Sequence, residues 1–129
     1  MADYREISQG YAQGAIRAVV LINSGAAIAL LSQISSLLPE VGARVIGIAF
    51  ICFVVGVACG VTSWVCGFDN ARSVDLTERG QLSNYSIADR WQCIGVCVLA
   101  FGLILFLVGC LSLAWEFLDA GVVSGEKIS

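Results

Sequence analysis

The sequence predicts an all-α integral membrane protein with three transmembrane helices and an amphipathic N-terminal lead-in. Of its 129 residues, 58% are hydrophobic and only 13% are charged. Soluble domains average about 45–50% apolar and about 25% charged residues. The mean hydropathy is +0.87, and apolar residues are gathered into three long runs. This composition excludes a disordered chain and disfavours a soluble enzyme.

The three spans are predicted from windows that contain no charged residue, namely Ala18–Pro39, Val45–Phe68 and Trp91–Trp115. Each window exceeds the ~20 residues that a helix needs to cross a bilayer core of ~30 Å. We therefore expect one membrane domain over residues 1–129. Its spans are expected at about 17–38, 42–66 and 91–115, with a loop at 67–90.

The segment before the first span has its own helical pattern. Tyr4, Ile7, Tyr11 and Ala18 recur at spacings that place them on one helix face. Residues 3–13 are thus predicted to form an amphipathic lead-in. It would either lie at the membrane interface or run straight into the span.

The ends of the spans are predicted from local signals. Pro39 is expected to end span one, because proline cannot continue a helix. Gly67 is a candidate glycine cap for span two. Ser86 and Asp89 fit a capping box, so span three is expected to begin near Ile87.

Basic residues predict the orientation. Spans alternate in direction, so the N-terminal tail and the 67–90 loop share one side, with Arg5, Arg17, Arg72, Arg79 and Arg90. The other side has Arg44 and Lys127. The positive-inside rule then places the N-terminus and the 67–90 loop in the cytoplasm and the C-terminus in the periplasm.

Small residues recur on one face of each span, and in lipid such faces let helix backbones approach closely. The candidate packing residues are Gly25 and Ala29 in span one, Gly56 and Gly60 in span two, and Gly95, Gly102 and Gly109 in span three. A three-helix bundle could satisfy all of these faces inside one chain. Alternatively, one or two faces point outward, and we expect these to form a homo-oligomer.

Polar residues concentrate in span one. The candidate pore-lining residues are Asn23, Ser24, Ser32, Gln33 and Ser36. In a symmetric oligomer, Asn23 and Gln33 would form polar rings around a pore. The alternative is a structural role, in which Asn23 and Ser24 hydrogen-bond across to Thr62 and Ser63 at a similar depth.

Several kinds of chemistry are not expected. The chain has no histidine, and its six cysteines form no CxxC pair, so we predict no metal site and small-residue packing for the cysteines. No acidic residue lies in the middle of a span, and no phosphate-binding motif occurs. We therefore predict no enzyme activity, no cofactor and, at a net charge of −3, no nucleic-acid partner.

The run QGAIRAVVLINSGAAIALL at Gln13–Leu31 resembles a segment near the N-terminus of small, uncharacterised bacterial inner-membrane proteins. Their run is similar to LINGGAAIALL, and this chain has Ser24 where glycine is common. The resemblance implies a bacterial inner membrane and supplies no site residue. The three-span architecture also looks like that of membrane effectors of anti-phage systems and of phage holins.

These observations give a functional expectation with alternatives. We expect a small self-associating inner-membrane protein that forms a pore or perturbs the membrane, in the manner of an antiviral defence effector. A protein partner could control it at the cytoplasmic loop. The alternative is a non-conducting accessory or scaffold subunit of a larger membrane complex. A third interpretation is a membrane module that binds a lipid or a small molecule.

Overall fold

The computed structural model describes residues 4–126, and it describes side chains for residues 9–119. Every regular element in this part of the chain is a helix. The helices are α1 (Tyr4–Ser32), α2 (Ile34–Val41), α3 (Ala43–Glu78) and α4 (Ser86–Glu126). The predicted all-α class is confirmed.

Three of the helices are long and apolar enough to cross a membrane, at Gln9–Ser32, Ala43–Glu78 and Ser86–Asp119. The fold is therefore that of a multi-pass helical membrane protein. α1 continues without a break from Tyr4 into its apolar part, so the lead-in runs straight into the span. The side chains that would define its amphipathic face, Tyr4 and Ile7, lie outside the described side chains.

The first span ends differently from the prediction. The chain turns at Gln33, and the short helix α2 then passes through Pro39 to Val41. Pro39 lacks the N–H that would continue the helical hydrogen bonding, yet it lies inside α2 and does not end it. Gly42 ends α2 instead, with a φ of 81° that side-chain-bearing residues rarely adopt.

The second span extends well beyond Gly67, which is not the cap. α3 continues for 36 residues to Glu78, and Gly80 follows with a φ of 73°. The Gly80 N–H donates to the Thr77 carbonyl and the Gln81 N–H donates to that of Leu76, both at 3.0 Å. This pair of bonds is the Schellman motif, which satisfies the last carbonyls of the helix.

The third span begins at Ser86, one residue before the predicted start. The predicted capping box does not form. The Ser86 N–H and hydroxyl both donate to the side-chain oxygen of Asn84, at 3.3 and 2.6 Å. Asn84 therefore stabilises the chain's entry into α4 through an Asx-type turn. The predicted loop at 67–90 is reduced to residues 79–85 between two helices.

The helices pack with α3 in the centre. α4 lies antiparallel along α3, and α1 packs mainly against α3 on another side. We call the end with residues 79–85 the loop end and the opposite end the α2 end. Buried apolar side chains gather toward the α2 end, where the rings of Phe53 and Phe106 lie 5.9 Å apart at 44°.

Candidate functional site

The α3–α4 interface joins a cysteine repeat to a glycine repeat. A methyl group built on Gly95 would lie 3.2 Å from the Cys66 Cβ, and one on Gly102 would lie 3.0 Å from the Cys59 Cβ. Cysteines on α3 and glycines on α4 both recur every seven residues. The antiparallel alignment therefore sets the two small-residue repeats against each other, as in a coiled coil with very small side chains.

The same repeat continues beyond the apolar part of the two helices. One further step of seven residues leads from Cys66 to Ser73 on α3 and from Gly95 to Ala88 on α4. Both Ser73 and Ala88 are buried. The polar turns of α3 and α4 at the loop end are thus held by the packing pattern that also acts inside the membrane.

One glycine of the repeat receives an aromatic ring instead of a cysteine. A methyl group on Gly109 would lie 2.6 Å from the Phe53 ring. Phe53 is 2% exposed and also contacts the Phe106 ring. Gly109 therefore provides the space in which the largest buried side chain of α3 sits.

A single direct hydrogen bond crosses between spans in the described residues. The Ser63 hydroxyl on α3 donates to the Gly95 carbonyl on α4 at 2.9 Å. The predicted bonds from Asn23 and Ser24 to Thr62 and Ser63 do not form. Asn23 lies beside Gly56, two turns away from that level, and Thr62 donates to the Ala58 carbonyl of its own helix.

Asn23 occupies the closest approach between α1 and α3. Its side chain is 0% exposed and lies directly against Gly56, where any Cβ would collide with it. Its Nδ2 donates to the Val19 carbonyl at 2.9 Å, while its Oδ1 is buried without a conventional donor. The Cα–H group of Gly56 points at that oxygen, and weak bonds from Cα–H groups recur where helices pack closely. One turn further along α3, Gly60 makes the same kind of contact with the Val20 side chain.

The candidate pore-lining residues are not brought together as one lining. Asn23 faces α3 and is buried, which is incompatible with its exposure to a lumen in this fold. Ser24 is half-buried and donates to the Val20 carbonyl at 2.7 Å. Ser32, Gln33 and Ser36 are exposed near the α2 end.

The side of α1 opposite α3 carries small residues along most of its length. We call it the exposed face of α1, and it comprises Gly14, Ala18, Gly25, Ala29 and Ser32. A methyl group on Gly14 or Gly25 would have no described atom within 4 Å. The two predicted packing residues of span one, Gly25 and Ala29, therefore take no part in packing within the described chain.

The six cysteines are all free thiols. Cys66 is buried against Gly95, whereas Cys93 is exposed. The described residues contain no group of histidine, cysteine and carboxylate side chains that could hold a metal ion.

The match between the cysteine and glycine repeats was not predicted, although the sequence contains its signal. Cys52, Cys59 and Cys66 share a spacing of seven with the glycines of span three. Two consecutive antiparallel helices with equal spacing can align their repeats along the whole contact. Only the loop length then decides which cysteine meets which glycine.

The geometry just described defines two surfaces, a packed α3–α4 interface and an exposed small-residue face on α1. In comparisons with known proteins, no family model, curated protein or solved structure matches the chain.

Proposed function

We propose that the protein is a small self-associating membrane protein and that the exposed face of α1 is its contact surface. One observation carries this proposal. The small-residue stripes of α3 and α4 pack against other helices of the chain. On α1, by contrast, Gly14, Ala18, Gly25 and Ala29 are exposed, and a methyl group on either glycine would meet no other described helix. In lipid, small faces are the sites at which helices associate.

The assembly is proposed to form a pore or to perturb the membrane. Ser32, Gln33 and Ser36 are exposed on or beside the same face, near the α2 end. When α1 helices of several copies meet through this face, these side chains gather into a polar ring around the assembly axis. Polar rings of this kind set the passage of ions in narrow channels.

The proposed setting is a bacterial inner membrane with a cytoplasmic N-terminus. The larger number of arginines on the N-terminal and loop side supports this orientation. The resemblance of Gln13–Leu31 to small inner-membrane proteins supports the compartment. In this setting the polar tip of the α3–α4 hairpin faces the cytoplasm, where a protein partner of a defence effector would act.

Self-association is tested by enlarging the exposed face. The double variant Gly25→Leu with Ala29→Leu places two large side chains on this face, where Ala29 is exposed and a methyl group on Gly25 would meet no other described helix. We expect the native oligomer in mild detergent to become a monomer, as measured by native mass spectrometry. Gly67→Leu is the matched control, because Gly67 is also exposed and has no described atom near a built methyl group. A monomeric wild-type chain would contradict the proposal.

Conduction is tested in lipid vesicles loaded with an ion-sensitive dye. The wild-type protein is expected to dissipate an ion gradient across the vesicle membrane. Gln33→Leu is expected to slow this ion flux because it removes the polar ring. Gln33→Glu is the informative partner, since a ring of carboxylates shifts selectivity toward cations. Equal flux from all three proteins would contradict a pore lined by Gln33.

The second candidate is a non-conducting accessory subunit whose exposed α1 face binds a helix of another protein. The burial of Asn23 favours it, since this removes the polar residue nearest the middle of span one from any lumen. An oligomer that forms but carries no flux, or a monomer that carries none, would support this candidate over the pore.

A further inference from the structure

An apolar groove of about 400 Å³ runs between α1 and α3 near the loop end. Its volume lies within the range of ~300–1,000 Å³ that is typical of small-molecule sites. It opens sideways, toward the surface that the bilayer covers. Its walls are apolar and include Ile16, Val20, Leu21, Gly60 and Val61.

A glycine lets α1 and α3 approach closely at the groove. Gly60 has no side chain, and the Val20 Cγ2 lies 2.5 Å from where its Cβ would be. Trp64, one turn further along α3, forms the side wall and is 62% exposed. The result is an open channel with apolar walls, the shape and chemistry that a lipid acyl chain fits.

Arg17 is the one charged residue that lines this groove. It lines the groove together with Trp64 of α3. Trp64 lies five residues before Asp69, which is the next charged residue on that helix. At ~1.5 Å per residue this is ~7.5 Å inside the first charge of that helix. A guanidinium at such a depth extends its long stem toward the interface, where lipid phosphates lie.

Arg17 makes no ion pair or hydrogen bond with any described residue. Guanidinium groups bind phosphate with paired N–H donors and strong geometric preference. The indole N–H of Trp64 is a second donor, and tryptophan favours the membrane interface. The groove itself is lined only by apolar atoms, so Arg17 and Trp64 contribute their carbon atoms to its walls and their N–H groups lie outside it. The site thus combines an apolar channel with a cation and a donor on the residues at its edge.

We propose that this groove binds one anionic phospholipid, with its phosphate on Arg17 and one acyl chain along Val20, Gly60 and Val61. An anionic headgroup is favoured over a zwitterionic one because no acidic residue lines the groove to pair with a headgroup ammonium. None of the lining residues belongs to the exposed face of α1, so the site does not depend on self-association.

The test uses Trp64 as a local reporter. The chain has three tryptophans, and the variant with Trp91→Phe and Trp115→Phe retains Trp64 alone. The full chain is reconstituted in phosphatidylcholine vesicles that contain a fixed fraction of brominated phosphatidylglycerol or of brominated phosphatidylcholine. Bromine quenches only a tryptophan that it touches, so quenching reports which lipid occupies the groove.

We expect brominated phosphatidylglycerol to quench Trp64 with an apparent affinity about fivefold above that of brominated phosphatidylcholine, as one interfacial cation predicts. Arg17→Gln should remove this preference, and Arg17→Lys should keep most of it. Arg90→Gln is the matched control, since Arg90 lies outside the groove, and it should change nothing. The variant that retains Trp115 alone should show no preference.

Two outcomes would overturn the proposal. The first is equal quenching of Trp64 by both lipids in the wild-type background. The second is a preference for phosphatidylglycerol that remains in Arg17→Gln. Such a result would mean that the overall surface charge of the protein, and not Arg17, attracts the anionic lipid. Arg17 is exposed, so Arg17→Gln should fold, and circular dichroism of the same vesicles verifies this.

Discussion

The α3–α4 interface and the exposed face of α1 use the same small residues in opposite environments. At the interface, Gly95 and Gly102 lie so close to α3 that an added methyl group would crowd Cys66 or Cys59. On the exposed face, Gly14 and Gly25 have no described atom within 4 Å of the same methyl group. Glycine on a membrane helix therefore indicates that a backbone approaches closely, but not whether that backbone belongs to the same chain.

The largest effect is expected at the interface. Gly102→Leu would force a branched side chain against the Cys59 Cβ, the Gly56 carbonyl and Val19, at 3.0 to 3.3 Å from its first atom. Overpacking of this degree should lower the free energy of unfolding by about 3 kcal/mol, the upper end of the usual range. Titration with sodium dodecyl sulfate in mixed micelles, followed by circular dichroism, measures it. Stability equal to that of the wild type would contradict the packing described here.

A smaller and reversible effect is expected where α1 meets α3. Gly56→Ala should cost about 1–3 kcal/mol, because its Cβ collides with the Asn23 side chain. Asn23→Ala in the same chain should restore most of the lost stability, since the methyl group then takes the space of the amide. The double-mutant cycle measures this coupling. Additive losses would mean that Asn23 and Gly56 do not pack together.

The interhelical hydrogen bond should contribute less. Ser63→Ala removes the donor to the Gly95 carbonyl and is expected to cost about 0.6 kcal/mol, a typical value for such bonds in membranes. Thr62→Val is the matched control one residue away, because the Thr62 hydroxyl donates only within its own helix. If Thr62→Val lowers the stability as much as Ser63→Ala does, the bond between the helices contributes no more than a hydroxyl bond within one helix.

The smallest effect on folding is expected on the exposed face of α1. Gly25→Ala meets no neighbour, so the free energy of unfolding of the monomer should change by no more than ~0.5 kcal/mol. Its effect should instead be on the oligomer, measured by the protein concentration at which the assembly dissociates in detergent. A large loss of monomer stability would show that this face packs inside the fold.

The number and positions of the spans could be predicted because charge and length alone decide them. The ends could not. Gly67 is a residue type that often caps a helix, yet α3 continues beyond it. The seven-residue packing repeat continues as well, so Ser73 is buried as Cys66 is. Pro39 likewise lies inside a helix that continues to Val41. In both cases the contacts between helices override the local signal.

The environment of Asn23 was also beyond prediction. Its depth in the membrane follows from its position in span one, but its orientation depends on how far α1 is shifted along α3. Gly56 and Gly60 set that shift, since Asn23 and Val20 of α1 occupy the space that a side chain would fill at these two positions. With a different offset, Asn23 would lie level with Thr62, where the sequence suggested it would be, and the same composition would give a different interface.

The uninterrupted hydrogen bonding of α3 has a mechanical consequence. Over 36 residues the helix is a rod of ~54 Å, longer than the membrane core, and its last turns stand outside. The heptad packing with α4 continues along it, and the helix runs unbroken through Gly67 where the apolar run ends. A force applied to the tip therefore tilts the buried part of the hairpin as a lever and is not absorbed where the chain leaves the lipid.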